Sequence, residues 1–360
     1  MLVHEFLENS AKRLPDKTAL IFQDQGLTYK QIDERSNQLA HALIIAGLKK
    51  GDRVSILLDN SPETVISLFG ILKAGGVFST LSPTLKTKKL EYILNNSESS
   101  FHVSHWQKGE IVSKAVENIS SLKTVIMCGK SNKKNHSSFA KINFIEWNDF
   151  LNDQPLSKPE IQCIDIDLAN IIYTSGSTGN PKGVMMTHQS MASAATSITQ
   201  YLENSETDII LNVLPLSFDY GLYQIIMASK FGGTVVLEKS FAYPYVVIDK
   251  IIKGKVTGFP IVPTILAIIL QLKNLNKYNF EHLRYLTNTG AALPVNHIKA
   301  LRDIFPHVKI YSMYGLTECK RVSYLPPEEI DKRPTSVGKG MPNEEVYIVN
   351  EKGEDRKSVV

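Results

Sequence analysis

Short apolar runs alternate with longer stretches of helical periodicity along the first part of the chain. Thr28 and Gln31 have the spacing of a capping box, which predicts a helix running from there toward Ala46. After a turn at residues 51–52, the apolar run at 54–58 predicts a strand.

A second helix is predicted from Ser61, a suitable N-cap, and Pro62, a suitable first helical residue. Its apolar stripe consists of Val65, Ile66, Phe69 and Leu72. Glycines at 75–76 end this helix, and an extended piece begins at 77–78. Strand, helix and strand at this spacing indicate a largely parallel sheet covered by helices.

The same alternation returns in the rest of the chain. Strands are predicted at 169–173, 234–237, 257–261, 285–287 and 309–311. Helices are predicted from about His188, over 246–252 and from Pro263. The predicted fold class is therefore α/β, with layered sheets flanked by helices. Because a polar, proline-containing stretch separates Asp153 from Asp167, we expect two α/β subdomains, at 1–160 and 161–350.

Composition and charge indicate a globular protein with a mild excess of basic residues. The 360 residues are 43% hydrophobic, which is enough for a sizeable core, and carry a formal net charge of +4. A polar stretch at 129–138 contains the lysine cluster Lys130, Lys133 and Lys134. We interpret this stretch as a solvated loop, with nucleic-acid binding as the weaker alternative, and expect no nucleic-acid partner.

Cysteine usage and the N-terminus both favour a cytoplasmic protein. Cys128, Cys163 and Cys319 have no metal-type spacing, and an odd number is typical of reduced thiols. Residues 1–6 lack a basic start followed by an apolar run, and no apolar run approaches about 18 residues. Neither a signal peptide nor a membrane span is therefore predicted.

The glycine loop, residues 173–183, has the sequence Y-T-S-G-S-T-G-N-P-K-G. Its glycines allow positive φ and a close approach to a ligand, and its N–H groups and hydroxyls can surround phosphate oxygens. Lys182 adds a compact positive charge. Pro181 precedes this lysine, so the loop is not a Walker A loop, and it contains no G-x-G-x-x-G. The loop therefore predicts polyphosphate binding of another kind.

This loop resembles the signature Y-T-S-G-[ST]-T-G-x-P-K-G of the adenylate-forming enzymes, such as acyl-CoA synthetases and the adenylation domains of peptide synthetases. The resemblance implies the large N-terminal domain of that fold, with ATP and Mg²⁺ as cofactors. It implies a catalytic role for Lys182. The ATP-binding residues it implies here are Thr174, Ser175, Gly176, Ser177, Thr178 and Gly179.

A second segment that matches the family is 288–293, N-T-G-A-A-L, which resembles the lining of the adenine pocket. The resemblance implies that Gly290, Ala291 and Ala292 lie against the base. On its own this string is equally typical of a turn between a strand and a helix.

A third segment, 313–318, reads M-Y-G-L-T-E and matches the family pattern Y-G-x-T-E. The resemblance implies that Tyr314 stacks on adenine, Thr317 contacts the α-phosphate with a catalytic role, and Glu318 acts in catalysis and binds Mg²⁺. An aromatic face suits a base, and a carboxylate suits this hard cation.

Segment 214–221, L-P-L-S-F-D-Y-G, lies where the family has part of its acid site. The acid-binding residues implied are Phe218, Asp219, Tyr220, Tyr223 and Thr289. In the amino-acid-activating branch the aspartate pairs with the substrate ammonium. Asp219 as the N-cap of the following helix is an equal alternative. The string also resembles proline-activating ligases and exosortase-associated acyl-CoA ligases, so amino acids and fatty or aryl acids both stay open.

Two further polar residues have a structural and a functional interpretation each. His188 follows the glycine loop, and we favour a helix-start residue over a wall of the pocket. Arg321 follows Glu318, and we favour a surface or ion-pair residue over a ligand of a substrate carboxylate.

The implied reaction joins a carboxylic acid to AMP and then transfers the acyl group to a thiol, of CoA or of a phosphopantetheine carrier protein. The resemblance implies that relatives continue with a ribose-binding aspartate and a small C-terminal domain, and we expect this chain to be without both. We expect 355–360 to be a non-native tail and the chain to be catalytically incomplete. The alternative function is a truncated fragment that binds ATP or substrate without turnover.

Overall fold

The computed structural model describes residues 1–130, 142–174 and 179–354. The fold is α/β, with mixed sheets flanked by helices, so the predicted fold class is confirmed. The chain divides into two compact units. The first unit consists of Met1–Ala195 and Ser205–Ala242, and the second unit consists of Thr196–Asn204 and Tyr243–Val360.

The predicted division into 1–160 and 161–350 stays a prediction, and its boundary lies inside the first unit. The lysine-rich loop predicted around Lys133 and Lys134 and the tail at 355–360 lie outside the described residues.

The helices and strands alternate along most of the described chain. The helices are α1 (Val3–Arg13), α2 (Tyr29–Ile45), α3 (Pro62–Lys73), α4 (Thr87–Asn96), α5 (Gly109–Val116), α6 (Trp147–Leu151), α7 (His188–Tyr201), α8 (Asp219–Phe231), α9 (Pro244–Lys253), α10 (Pro263–Gln271) and α11 (Val295–Ile304). The strands are β1 (Thr18–Phe22), β2 (Gln25–Thr28), β3 (Arg53–Leu57), β4 (Val77–Thr80), β5 (Ser99–His105), β6 (Thr124–Cys128), β7 (Asn143–Glu146), β8 (Leu168–Thr174), β9 (Lys182–Thr187), β10 (Ile209–Asn212), β11 (Thr234–Leu237), β12 (Gly258–Ile261), β13 (Tyr285–Asn288), β14 (Lys309–Tyr314), β15 (Ser323–Tyr324) and β16 (Lys339–Gly340).

The first unit contains a seven-stranded sheet in the order β7-β6-β5-β3-β4-β8-β9. Its neighbours are parallel except for β8 and β9, which are antiparallel. The same unit holds the run β10-β11-β1-β2, in which only β2 is antiparallel to its neighbour. The largely parallel arrangement predicted for the first part of the chain is therefore confirmed.

The second unit contains the run β16-β15-β14-β13-β12. Strands β12, β13 and β14 are parallel, whereas β15 and β16 continue as antiparallel neighbours. The prediction that 285–287 and 309–311 are neighbouring strands is confirmed by the pairing of β13 with β14.

Local sequence explains where α2 and α3 begin. The backbone N–H of Gln31 donates to Thr28 Oγ1, and the N–H of Thr28 donates to Gln31 Oε1, so the predicted capping box is present. The Ser61 hydroxyl accepts from the N–H of Thr64, and Pro62 is the first residue of α3. Each side-chain cap satisfies donors that have no partner inside the helix.

A buried lysine links α2 to α3. Lys73 Nζ donates to Asp33 Oδ1 (2.5 Å) and to Asn37 Oδ1 (2.7 Å). Burial lowers the pKa of Lys73, while the charge of Asp33 raises it. The amide of Asn37 also donates to the carbonyl oxygen of Leu156 (2.7 Å), so this polar cluster is well hydrogen-bonded inside an apolar layer.

We expect the fold to lose stability in mild acid through His102. This residue is fully buried in β5, its ring shares a hydrogen bond with Ser55, and burial lowers its pKa to about 3. In the unfolded chain its pKa is about 6.5, so between pH 6.5 and about 3 the unfolded state binds the extra proton and stability falls as pH falls. The expected loss from pH 6.5 to pH 5 is about 2 kcal/mol.

Urea unfolding at several pH values measures this loss. His102→Asn is expected to show a shallower decline, although its stability at pH 7 is lower. His282, which is half-exposed, serves as the control, since its replacement by asparagine should leave the slope unchanged. An equal slope in wild type and His102→Asn would contradict the assignment.

Candidate nucleotide and acid site

The glycine loop joins two antiparallel strands. Thr174, the last residue of β8, pairs directly with Lys182, the first residue of β9. Gly179 has the positive φ (94°) expected of a loop that bends sharply, and Lys182 is exposed. The predicted ligands Ser175, Gly176, Ser177 and Thr178 lie outside the described residues.

Strand β9 was not predicted, since only a helix beginning near His188 was expected after the loop. Its burial pattern alternates weakly, and Met186 is its buried residue. The short apolar run at 184–186, bounded by Gly183 and Thr187, was the available signal. The consequence of β9 is that Lys182 begins a paired strand and does not lie within a free loop.

In the second unit, two predicted segments follow neighbouring parallel strands. Segment 288–293 begins at the end of β13, and segment 313–318 overlaps the end of β14. The register places Asn288 opposite Ser312. Carboxyl ends of parallel strands meet at one edge of a sheet, where ligands of open α/β sheets typically bind. The structure therefore brings these two segments together.

A side-chain hydrogen bond shapes the first of these two segments. Asn288 is buried, and its amide donates to the carbonyl oxygen of Ala291 (2.9 Å). Thr289 is buried, whereas Gly290, Ala291 and Ala292 are exposed, as a surface for a flat ligand requires. No role for Asn288 is predicted from the sequence.

The second segment ends in a compact turn. Lys320 Nζ donates to the carbonyl oxygen of Thr317 (2.7 Å), and the N–H of Val322 donates to the carbonyl oxygen of Tyr314 (2.9 Å). A Cβ on Gly315 would lie 2.0 Å from the carbonyl oxygen of Lys320, so only glycine fits. The tyrosine ring is 45% exposed and Glu318 is exposed, which leaves both side chains available to a ligand.

Arg321 is not a surface residue, so the surface part of the favoured interpretation is wrong, while the ion-pair part stays a prediction. Its side chain is 3% exposed, and its guanidinium donates to the carbonyl oxygen of Lys320 (3.0 Å). Arg321 lies between the turn and β15, and the path of the backbone there places its side chain in the interior. Sequence alone gave no periodic signal for burial at this position.

The acid segment 214–221 lies beyond the carboxyl end of β10 and runs into α8. Phe218 is the N-cap residue and Asp219 is the first helical residue, so Asp219 is not the N-cap. A carboxylate in a first turn is still favoured by the helix dipole. Phe218 is 59% exposed and Asp219 is half-buried, whereas Tyr220 and Tyr223 are buried along α8.

Comparisons with known proteins decide the family. A family model described as AMP-binding enzyme matches residues 7–358. The chain belongs to this family. It is 29% identical, over 97% of its length, both to the polyketide synthase PksN of Bacillus subtilis and to tyrocidine synthase 3 of Brevibacillus parabrevis. It spans only 6% and 5% of those two proteins.

Solved structures of related ligases have the same fold. The anthranilate CoA ligase AuaEII in complex with anthranoyl-AMP has a TM-score of 0.89 and 27% identity, covering 99% of this chain and 67% of that one. The N-terminal domain of FACL13 from Mycobacterium tuberculosis has a TM-score of 0.86 and 25% identity, covering 99% and 86%. The fold of this chain therefore matches the N-terminal domain of acyl-CoA ligases, as the resemblance implied.

His188 has a structural role in this chain. It is the first residue of α7 and is buried, and its Nδ1 accepts from the backbone N–H of Val3 (3.1 Å). Burial is the largest influence on its pKa, which is lowered to about 4, so the ring is neutral at pH 7. The favoured interpretation as a helix-start residue is confirmed.

A magnesium site in this chain would depend on few protein ligands. Among the described residues, no group of three or more His, Cys, Asp and Glu side chains could hold a metal ion. Mg²⁺ in nucleotide sites is usually held by one or two carboxylates together with phosphate oxygens. The exposed carboxylate of Glu318 fits that arrangement. Along the described ranges, none of the helices has the length and apolarity needed to cross a bilayer.

Proposed function

We propose that this chain binds ATP and activates a carboxylic acid as its acyl-adenylate, for transfer to the thiol of CoA or of a carrier protein. The single observation that carries the proposal is the position of two nucleotide-type segments. Segments 288–293 and 313–318 follow β13 and β14, which are parallel neighbours in register. This edge of the sheet presents an exposed aromatic ring, small residues and a carboxylate.

The residues predicted to contact the phosphates, the base and the metal each have a part in this proposal. Thr174, Gly179 and Lys182, with the rest of the glycine loop, hold the β- and γ-phosphates through N–H groups and a positive charge. Tyr314 stacks on adenine, and Thr317 contacts the α-phosphate. Glu318 would hold Mg²⁺, which when bound offsets the charge of the phosphates.

The protein contributes positioning and charge neutralisation to the reaction. A carboxylate oxygen of the acid attacks the α-phosphorus of ATP, forming a C–O–P linkage. The bond from the α-phosphorus to the bridging oxygen breaks, and pyrophosphate leaves with that electron pair. Thiol transfer then releases AMP.

The acid in this proposal carries an amino group. Asp219 is a half-buried carboxylate beside the exposed ring of Phe218, at the start of α8. A carboxylate in such surroundings is a suitable partner for an ammonium group. Among related structures, AuaEII was solved with anthranoyl-AMP, and VinN, at 27% identity and a TM-score of 0.82, with L-aspartate.

The proposal is tested by calorimetric titration of the full chain with ATP and four non-hydrolysable probes. The probes are the prolyl, aspartyl, anthraniloyl and octanoyl sulfamates of adenosine. ATP and at least one of the three amino-bearing probes are expected to bind, and the octanoyl probe more weakly. No affinity for ATP would overturn the proposal. Pyrophosphate release then separates turnover from the alternative, a chain that binds without turnover.

Asp219→Asn is expected to weaken binding of the tighter of the prolyl and aspartyl probes, whose amines are protonated, by about 10- to 100-fold, because a hydrogen bond to a charged group is typically worth about 1.5–3 kcal/mol. The octanoyl probe lacks the ammonium group, so its Kd should stay within about twofold. Asp249→Asn is a matched control, since that aspartate is half-exposed on α9 and pairs with Lys253. Equal losses for both classes of probe would argue against ammonium recognition.

A further inference from the structure

Asn60 is a buried residue that binds the backbone of a distant part of the chain. It lies between β3 and α3 and is 4% exposed. Its Nδ2 donates to the carbonyl oxygens of Leu214 (3.0 Å) and Glu238 (2.8 Å). Its Oδ1 accepts from the N–H of Leu216 (2.9 Å). Both amide protons and the carbonyl oxygen are therefore used, and all partners belong to the first unit.

The backbone that Asn60 binds is the start of the acid segment 214–221. From there, the N–H of Phe218 donates to the carbonyl oxygen of Pro215 (3.1 Å). A Cβ on Gly221 would lie 2.4 Å from that same carbonyl oxygen, so the first turn of α8 packs directly on the segment. A displacement at Leu214 or Leu216 would therefore be transmitted to Phe218 and Asp219.

A second amide supports the same segment from its other end. Asn212, buried at the end of β10, donates through Nδ2 to the carbonyl oxygen of Gly221 (3.2 Å) and accepts from the N–H of Leu214 (3.1 Å). These bonds place the start of α8 relative to β10. They do not connect the segment to the start of α3. Among the hydrogen bonds described above, only those of Asn60 provide that connection.

Asn60 is itself held in place by the N-terminus of α3. The Thr64 hydroxyl donates to the carbonyl oxygen of Asp59 (2.9 Å), and Ser61 is the N-cap on the other side. Helix α3 is buried along most of its length, so its end is a rigid support. The side chain of Asn60 thus connects a rigid core helix to the segment that carries Asp219.

We propose that Asn60 is a positioning residue for acid recognition, which sets the place of Phe218 and Asp219 through Leu214 and Leu216. This inference rests on the proposed function. The amide is required because the site needs two donors and one acceptor at once. An aspartate of the same size would offer only acceptors and would face two carbonyl oxygens.

The test compares Asn60→Asp and the milder Asn60→Ser with wild type, by calorimetry on the full chain. The ligands are AMP and the tightest-binding of the four adenosine sulfamates named above. Asn60→Asp is expected to weaken the sulfamate at least tenfold more than AMP, and Asn60→Ser to show the same imbalance in smaller degree. Asn37→Asp is the matched control: this buried asparagine also binds a distant carbonyl, that of Leu156, outside the acid segment. It should affect the two ligands equally.

A purely structural role for Asn60 predicts another result. Loss of folded protein lowers the number of binding sites and leaves both dissociation constants unchanged. That outcome, or equal weakening of AMP and sulfamate in the soluble Asn60→Ser variant, would overturn the inference while the proposed function stands. Wild type that binds neither ligand would overturn both.

Discussion

Lys182→Ala is expected to lower the affinity for ATP by about 10- to 100-fold without unfolding the protein. The lysine is exposed at the first position of β9, so its removal costs little packing. A charge-assisted hydrogen bond to a phosphate is worth about 1.5–3 kcal/mol, which gives the expected range. Calorimetric titration with ATP measures the loss, and a circular dichroism melt checks that the fold is kept.

The phosphate tail provides an internal control for this variant. Adenosine lacks phosphates, so its affinity should change by less than about twofold. Lys332→Ala removes an exposed lysine that pairs with Glu329 and should leave ATP binding unchanged. Undiminished ATP affinity in Lys182→Ala would remove the glycine loop from the proposed site.

Gly315→Ala is expected to damage both stability and nucleotide binding in the second unit. The new Cβ would lie 2.0 Å from the carbonyl oxygen of Lys320 and 2.9 Å from Cα of Arg321, and both neighbours are backbone atoms. The turn must therefore shift, at a cost of about 1–3 kcal/mol, and Thr317 and Glu318 shift with it. We expect ATP affinity to fall at least about tenfold, together with a lower thermal midpoint.

Gly109→Ala is the control for adding a methyl group. A Cβ there would lie 3.6 Å from the Trp106 ring, an ordinary contact, so neither stability nor ATP binding should fall. If Gly315→Ala bound ATP as wild type does, the turn at 313–318 would have no part in the nucleotide site, whatever its effect on stability.

Much of the fold was predictable because its signals are local. The capping box at Thr28 and Gln31, and Ser61 with Pro62, mark the starts of α2 and α3 within a few residues of sequence. Apolar runs bounded by glycine or turn residues likewise mark the parallel strands. The candidate site was predictable only as segments, through their resemblance to the adenylate-forming enzymes.

The supporting contacts of the site were not predictable, because they join residues far apart in sequence. Asn60 contacts Leu214 and Leu216 across more than a hundred residues, and nothing in the local sequence marks this asparagine. The burial of Arg321 likewise depends on how the turn folds back toward β15. Hydrogen bonding to backbone groups leaves little trace in one sequence, since many side chains can provide it.

The direct pairing of Thr174 with Lys182 has a consequence for how the ends of the glycine loop tolerate change. Side chains along a strand point alternately to the two faces of its sheet, so a slip of β9 by one position would turn Lys182 to the opposite face. A residue gained or lost at the base of this hairpin would misdirect the positive charge even if every residue of the loop were retained. The register of the hairpin, as much as its composition, therefore decides on which face of the sheet the charge of Lys182 lies.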